Sequence, residues 1–240
     1  MGRVYIVGAG PGDPELITVK GLRLVREADV ILYDRLIPRG LLSHSKPNAL
    51  LVYVGKSPGG IGPTQGEINE MLYRYSMEYE TVVRLHGGDP LVFGRGFEEC
   101  EFLAARGVRC EIIPGVTSGL AAPAKYYIPP VVRGTASSVA LATGRGASGE
   151  KRVDFRKLAT SVDTIIIYMG ASVAEEIAGE LIDGGMSPHT PVAVIKSAYF
   201  GDEEFFTTTL DKLKSVPSPS IVVVGKVVER GVKLRELCRW

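Results

Sequence analysis

"VGAGPGDPELIT", residues 7–18, follows a short β-rich run, "VYIVGA" (4–9), and its reading decides the fold. Glycines stand at 8, 10 and 12, followed by Asp13 and Pro14. Beyond them Leu16, Val19, Leu22 and Val25 fall on one helical stripe. A strand, a glycine turn and a helix in that order open an α/β fold. The spacing predicts a helix over 14–28, with Asp13 as its cap and Pro14 in its first turn. The dinucleotide fingerprint G-x-G-x-x-G is met at Gly8 and Gly10, but its third glycine position holds Asp13. Asp34 lies where a ribose-binding acid would lie. A carboxylate beside a pyrophosphate is repulsive, so the turn suits a bound cation or an uncharged nucleoside better.

The alternation continues outward. "DVILYD" (29–34), "LLVYVG" (50–55), "TVVRLHGG" (81–88) and "RCEIIPG" (109–115) read as strands. "TQGEINEMLYRYSMEY" (64–79), opening on a Thr64–Glu67 capping box, and "RGFEECEFLAARG" (95–107) read as helices. Strands apolar on both faces imply a parallel sheet covered by helices. "PGDP" (11–14) is echoed by "GGDP" (87–90), each after a strand. Ligands of open α/β sheets bind beyond the carboxyl ends of the strands. Both G-D-P turns, Asp34, Gly55–Lys56 and Pro114–Gly115 are expected on that edge.

A Pro-, Gly- and Ala-rich stretch, "IPGVTSGLAAPAKYYIPP" (113–130), marks a domain junction near Pro114–Thr117. The expected domains are residues 1–115 and 116–240. In the second, "SSVALATG" (137–144), "DTIIIYMG" (163–170), "PVAVIKSA" (191–198), "EEFFTTTL" (203–210) and "SIVVVGKVV" (220–228) read as strands, with helical text at 172–184. The expected fold class is therefore α/β: two α/β domains, the first with a mostly parallel sheet and the second with a mixed one.

The 240 residues are 45% hydrophobic and 23% charged, an ordinary globular balance. The net charge of +1 gives no basic field for nucleic acid. Cys100, Cys110 and Cys238 form no CxxC pair and leave one over, so neither a disulfide framework nor a zinc site is expected. Cys100 and Cys110 are read as buried structural residues. No leader precedes "RVYIVGAG" and no apolar run approaches the ~18 residues of a membrane span, so a soluble cytoplasmic protein is expected. Gln65 is the only Gln, and Asn48 and Asn69 the only Asn, a depletion that fits a heat-adapted source.

"VYIVGAGPGDPELIT", "ADVILYDRLI", "YVGK", "VVRLHGGDPLVFGRGFEE", "IIPGVTSGLAAPA", "SSVALATG", "IIIYMG" and "PSIVVVGKVV" occur in an order and spacing that resembles the uroporphyrinogen-III C-methyltransferases, a branch of the tetrapyrrole (precorrin-type) methylases. The resemblance runs from Val4 to about Val228. It implies two α/β domains with S-adenosylmethionine held in a cleft between them, in a homodimer. It implies two successive methyl transfers to uroporphyrinogen III, giving precorrin-2 for sirohaem- and cobalamin-type pathways, with S-adenosylhomocysteine as by-product and no metal.

By position, the implied cofactor contacts are Pro11, Gly87, Gly88, Asp89, Val92, Thr117, Ser118, Met169 and Ala198. Asp34 and Lys56 match the family's proposed acid–base pair. A carboxylate such as Asp34 can stabilise the developing positive charge and take the departing proton. The substrate's carboxylates call for local cations on a nearly neutral protein, and Arg35 leads, ahead of Arg95 and Arg133. Tyr168 is read as packing with a substrate contact. Departures fall at His86, where the family usually has Lys, at "GGIGPTQGEIN" (59–69), at "ATGR" (142–145) and at "KSAYFGDEE" (196–204). The rival readings are a methylase of the same superfamily acting on a later precorrin or on a protein or RNA acceptor, and a non-catalytic S-adenosylmethionine- or tetrapyrrole-binding module.

Overall fold

The computed structural model describes residues 1–55, 62–146 and 153–238. The chain divides into two compact units, Met1–Thr117 and Ser118–Trp240.

Unit 1 is built on five strands: β1 (Arg3–Gly8), β2 (Val30–Tyr33), β3 (Leu50–Tyr53), β4 (Thr81–His86) and β5 (Arg109–Ile113). They lie in the order β3-β2-β4-β1-β5 and every pairing is parallel. All five carboxyl ends therefore share one edge. The helices are α1 (Val19–Glu27), the short α2 (Arg39–Leu42), α3 (Gln65–Glu78) and α4 (Gly96–Ala104). One sheet face packs Val7, Ile31, Val83 and Leu85 on α1 and α2 through Leu24, Val25 and Leu41. The other packs Ile6, Leu32 and Val82 on α3 and α4 through Ile68, Leu72 and Leu103. Each such aliphatic side chain contributes about 1.5–3 kcal/mol on burial.

Two local expectations are corrected here. The single helix expected over 14–28 is divided. Asp13 caps a short 3-10 turn, Pro14–Leu16, by accepting from the Glu15 N–H (2.9 Å). A second N-cap follows: Thr18 accepts from the Gly21 N–H (3.1 Å) and opens α1. Pro14 starts a turn as readily as a helix, and the extended Ile17 between the two caps ends it. The Thr64–Glu67 capping box forms in both directions.

The cysteine expectation is also overturned: Cys100 on α4 and Cys110 on β5 are half-buried and form a disulfide. The short turn after α4, with Gly107 at φ +75°, reverses the chain and brings their Cα atoms to 5.5 Å. That is normal bridging distance.

Unit 2 carries β6 (Val139–Thr143), β7 (Thr164–Tyr168), β8 (Pro191–Lys196), β9 (Glu204–Thr209) and β10 (Ser220–Val224), in the order β6-β7-β10-β8-β9. The β6–β7 pair is parallel and the other pairs are antiparallel, so the sheet is mixed. Its helices are α5 (Ser118–Lys125), α6 (Phe155–Leu158), α7 (Ala174–Asp183) and α8 (Val227–Leu237). Phe155, Ile177 and Leu181 pack α6 and α7 on Ile165, Ile167, Val194 and Val222. The strand expected over 220–228 stops at Val224, because Gly225 (φ +143°) turns the chain and α8 begins at Val227.

Candidate active site

The G-D-P turns are welded to one another by backbone. Gly10 and Gly88 exchange hydrogen bonds, Gly10 N–H to Gly88 O (3.2 Å) and Gly88 N–H to Gly10 O (2.7 Å). Both have positive φ, +80° and +69°. Gly8, Gly88 and Gly115 meet with no room for a side chain. A Cβ on Gly8 would lie 2.6 Å from Gly115 Cα, and one on Gly115 would lie 2.3 Å from Gly88 O. Asp89 seals this seam: Oδ2 accepts from the Gly115 N–H (3.0 Å) and Oδ1 from the Leu91 N–H (2.8 Å). The Asp of each turn thus binds the protein's own backbone. Around the seam, Pro11 and Gly88 are buried, Gly87, Asp89 and Val92 are half-buried, and Thr117 is buried.

Asp34 follows β2 on the same edge. Its Oδ1 accepts from the Leu36 N–H (3.1 Å) and its Oδ2 faces Arg84 Nη2 at 3.5 Å. Its side chain is 28% exposed. Arg35, beside it, is exposed, as are Arg95 and Arg133. Arg95, at φ +64°, pairs with Glu98. Lys56 lies outside the described residues, as do 59–61 of the "GGIGPTQGEIN" departure.

Behind Asp34 is a group of which the sequence reading singled out only His86, as a departure, and not Arg84 or Glu99. Arg84 and His86 occupy alternate positions of β4 and point to the face covered by α3 and α4. There Glu99, fully buried on α4, accepts from Arg84 Nε (3.3 Å) and from Gln65 Nε2 (3.1 Å), and pairs with His86 Nε2 at 2.7 Å. Gln65 also donates to Asn69 Oδ1 (3.0 Å). Arg84 Nη1 donates to the Leu85 carbonyl (2.6 Å). Burial pushes the Glu99 carboxyl up, but the hydrogen bond and charge of His86, the charge of Arg84 and the Gln65 amide together hold it below the ordinary glutamate range. The signal was present in "TVVRLH": a charge inside an apolar strand needs a buried partner.

In unit 2, β6, β7 and β8 end on a common edge, with β10 antiparallel between β7 and β8. Met169 follows β7, is 52% exposed, and has φ +52°. Ala198 follows β8 and is flanked by Ser197 (φ +47°) and Tyr199 (φ +70°). Non-glycine residues at positive φ cost of order 1–3 kcal/mol each and gather at functional sites. Tyr168 is 6% exposed, and its hydroxyl accepts from the Gly119 N–H (2.9 Å) at the start of α5, next to Ser118. Its visible role is to support that helix end.

Residues 3–214 match the model of the family described as Tetrapyrrole (Corrin/Porphyrin) Methylases. The chain belongs to the tetrapyrrole methylases. It is 43% identical over 244 residues to a uroporphyrinogen-III C-methyltransferase of Bacillus subtilis (strain 168), covering 98% of this chain and 94% of that one. Among solved structures, the Thermus thermophilus uroporphyrin-III C-methyl transferase complexed with S-adenyl homocysteine matches with a TM-score of 0.83 at 40% identity, over 95% of this chain and all (100%) of that one. A cobalt precorrin-4 methyltransferase matches with a TM-score of 0.84 at 31% identity, over 94% and 95% of the two chains. In this tetrapyrrole methylase the fold is thus shared equally with both neighbours, and sequence identity separates them.

Proposed function

We propose that this tetrapyrrole methylase is an S-adenosylmethionine-dependent C-methyltransferase acting on uroporphyrinogen III. Two successive transfers give precorrin-2, for sirohaem- and cobalamin-type synthesis, with S-adenosylhomocysteine released. The observation that carries this is the near-full-length identity of 43% to a uroporphyrinogen-III C-methyltransferase. At equal fold likeness, identity is 40% to the Thermus thermophilus uroporphyrin-III enzyme against 31% to the cobalt precorrin-4 enzyme.

The residues fit the cofactor. The unit 1 seam is backbone without Cβ atoms, and its two Asp side chains are held by backbone N–H groups. No Lys or Arg stands among the nominated cofactor residues, which offer backbone carbonyls, the hydroxyls of Thr117 and Ser118, the Asp89 carboxylate and one thioether, Met169. That set suits a cationic sulfonium nucleoside and not a polyphosphate. The nominated contacts are Pro11, Gly87, Gly88, Asp89, Val92, Thr117, Ser118, Met169 and Ala198.

S-adenosylmethionine, when bound, supplies a methyl carbon already made electrophilic by its sulfonium. The chain's own work is to orient the acceptor and to take up charge and a proton. Asp34, partly exposed at the strand edge, stabilises the positive charge that develops on the macrocycle and accepts the proton that leaves it. Lys56 is the second member of the proposed acid–base pair. Arg35 is the proposed cation for a substrate carboxylate. The proposed setting is a cytoplasmic homodimer without nucleic acid.

The test is methyl incorporation from labelled S-adenosylmethionine into uroporphyrinogen III under anaerobic conditions. The expected result is a dimethylated product. Tight S-adenosylhomocysteine binding without methylation of this acceptor would overturn the reading.

A further inference from the structure

We propose that Arg84 is the positioning residue for Asp34, clamped from behind by Glu99 so that its guanidinium fixes the orientation of the Asp34 carboxylate. The proposal rests on the reading of Asp34 as proton acceptor.

The register places them. Leu32 of β2 is paired with Arg84 of β4, and Asp34 lies two residues beyond Leu32, on the same face. Arg84 is 5% exposed and uses three sides of its planar fork. Nη1 binds the Leu85 carbonyl, Nε binds Glu99 Oε1, and Nη2 is left directed at Asp34 Oδ2. Two anchors lie inside the protein and one contact lies on the edge. Glu99 is in turn held by Gln65 on one oxygen and His86 on the other.

Stability alone does not explain this group. Buried ion clusters are often no more stable than well-packed apolar side chains of similar volume. The same face of the sheet otherwise carries apolar residues, among them Val4, Ile6, Val30, Leu32, Val82 and Cys110. What the charged group adds is direction. Asp34 receives the Leu36 N–H on Oδ1 and the guanidinium on Oδ2, which fixes the carboxylate plane at both oxygens. Lone pairs not used by those donors face a defined direction, as a proton acceptor requires.

The experiment is a double-mutant cycle on kcat in the full chain, with Arg84→Lys, Asp34→Asn and the double variant. Lys keeps the charge and loses the fork. Arg84→Lys is expected to lower kcat by about 10- to 100-fold, the scale of a misplacement near 1 Å. The KM for uroporphyrinogen III and the Kd for S-adenosylhomocysteine are expected to stay within about twofold. In the Asp34→Asn background Arg84→Lys should cost less than about twofold, since coupled residues are non-additive. Equal losses in both backgrounds, or no loss in the single variant, would overturn the proposal. Should Arg84→Lys fail to fold, Glu99→Gln takes its place in the same cycle with the same two outcomes. If Asp34→Asn alone turns over like the parent, the reading of Asp34 falls first and the proposal with it. That outcome is distinct from additivity with an inactive Asp34→Asn.

Discussion

Replacing Gly115 by Ala sets two physical effects of opposite sign against each other. Gly115 is not among the glycines at positive φ, so its backbone is open to alanine. On conformational entropy alone the substitution would stabilise the protein by about 0.4–1 kcal/mol. The seam argues the reverse. The new Cβ would stand 2.3 Å from Gly88 O and 2.8 Å from Gly8 Cα. Ordinary contact is about 3.5 Å, so one wall must retreat by about 1 Å. That wall is backbone, tied by the Gly10–Gly88 pair and the Asp89–Gly115 hydrogen bond. Overpacking of this kind costs about 1–3 kcal/mol. A loss of about 2 kcal/mol in a chain of this size lowers the melting temperature by about 4–8 °C. Shifting the turn by about 1 Å should also slow methyl transfer roughly 100-fold. Gly179→Ala is the matched control, inside α7 with nothing within 4 Å of the added Cβ, and it should gain about 1 kcal/mol. Thermal unfolding reads the first effect, and single-turnover methylation, with calorimetric titration of S-adenosylhomocysteine beside it, reads the second. A Gly115→Ala protein that melts no lower than its parent and keeps both ligand affinity and turnover would refute the seam.

Asp34→Asn should lower turnover by about 10²–10⁴-fold while S-adenosylhomocysteine still binds; loss of binding in a calorimetric titration would move Asp34 from proton transfer to cofactor contact. Thiol titration of the native chain should report Cys238 alone. Cys100→Ser should cost about 2–3 kcal/mol for the short closed loop, measured by urea unfolding, and three reactive thiols in the unreduced native chain would remove the disulfide. Asp29 is held below the usual aspartate range by its hydrogen bond from Lys46 and then by the Thr81 N–H. A carboxyl depressed in the folded state adds stability above its unfolded value, and that contribution is lost as pH falls through the lower folded value. Asp29→Asn should therefore be less stable than the parent near pH 7, by no more than ~1 kcal/mol for so exposed a pair, and equal to it in strong acid. A gap that persists unchanged into acid would refute that assignment.

The parallel sheet of unit 1 was legible because its strands alternate with helices at regular intervals, and turn residues sit at each strand end. The mixed sheet of unit 2 was legible from its density of β-branched runs. What stayed hidden had local ambiguities. "SIVVVGKVV" is one apolar run, and only the φ of Gly225 divides strand from helix. Pro14 fits the first turn of a 3-10 or an α-helix alike, so Thr18, not Asp13, turned out to cap α1. Cys100 and Cys110 meet only because α4 and β5 fold back on each other, a tertiary fact that spacing does not carry. In the candidate site, the strand-edge placement of the glycine turns and Asp34 could be read from order along the chain. Arg84, Glu99 and Gln65 could not, because they come from three elements and become neighbours only through the sheet register and the two helices laid on it.

The carboxylates of Asp13 and Asp89, bonded inward to Glu15, Leu91 and Gly115, have a thermodynamic consequence. A receptor loop that is already ordered asks little conformational entropy of the ligand that arrives. Binding at this edge should then show a heat-capacity change accounted for by buried apolar surface alone, without the excess that accompanies coupled folding. The amides of Gly10, Gly88 and Gly115 should exchange with solvent deuterium as slowly before a ligand arrives as after it.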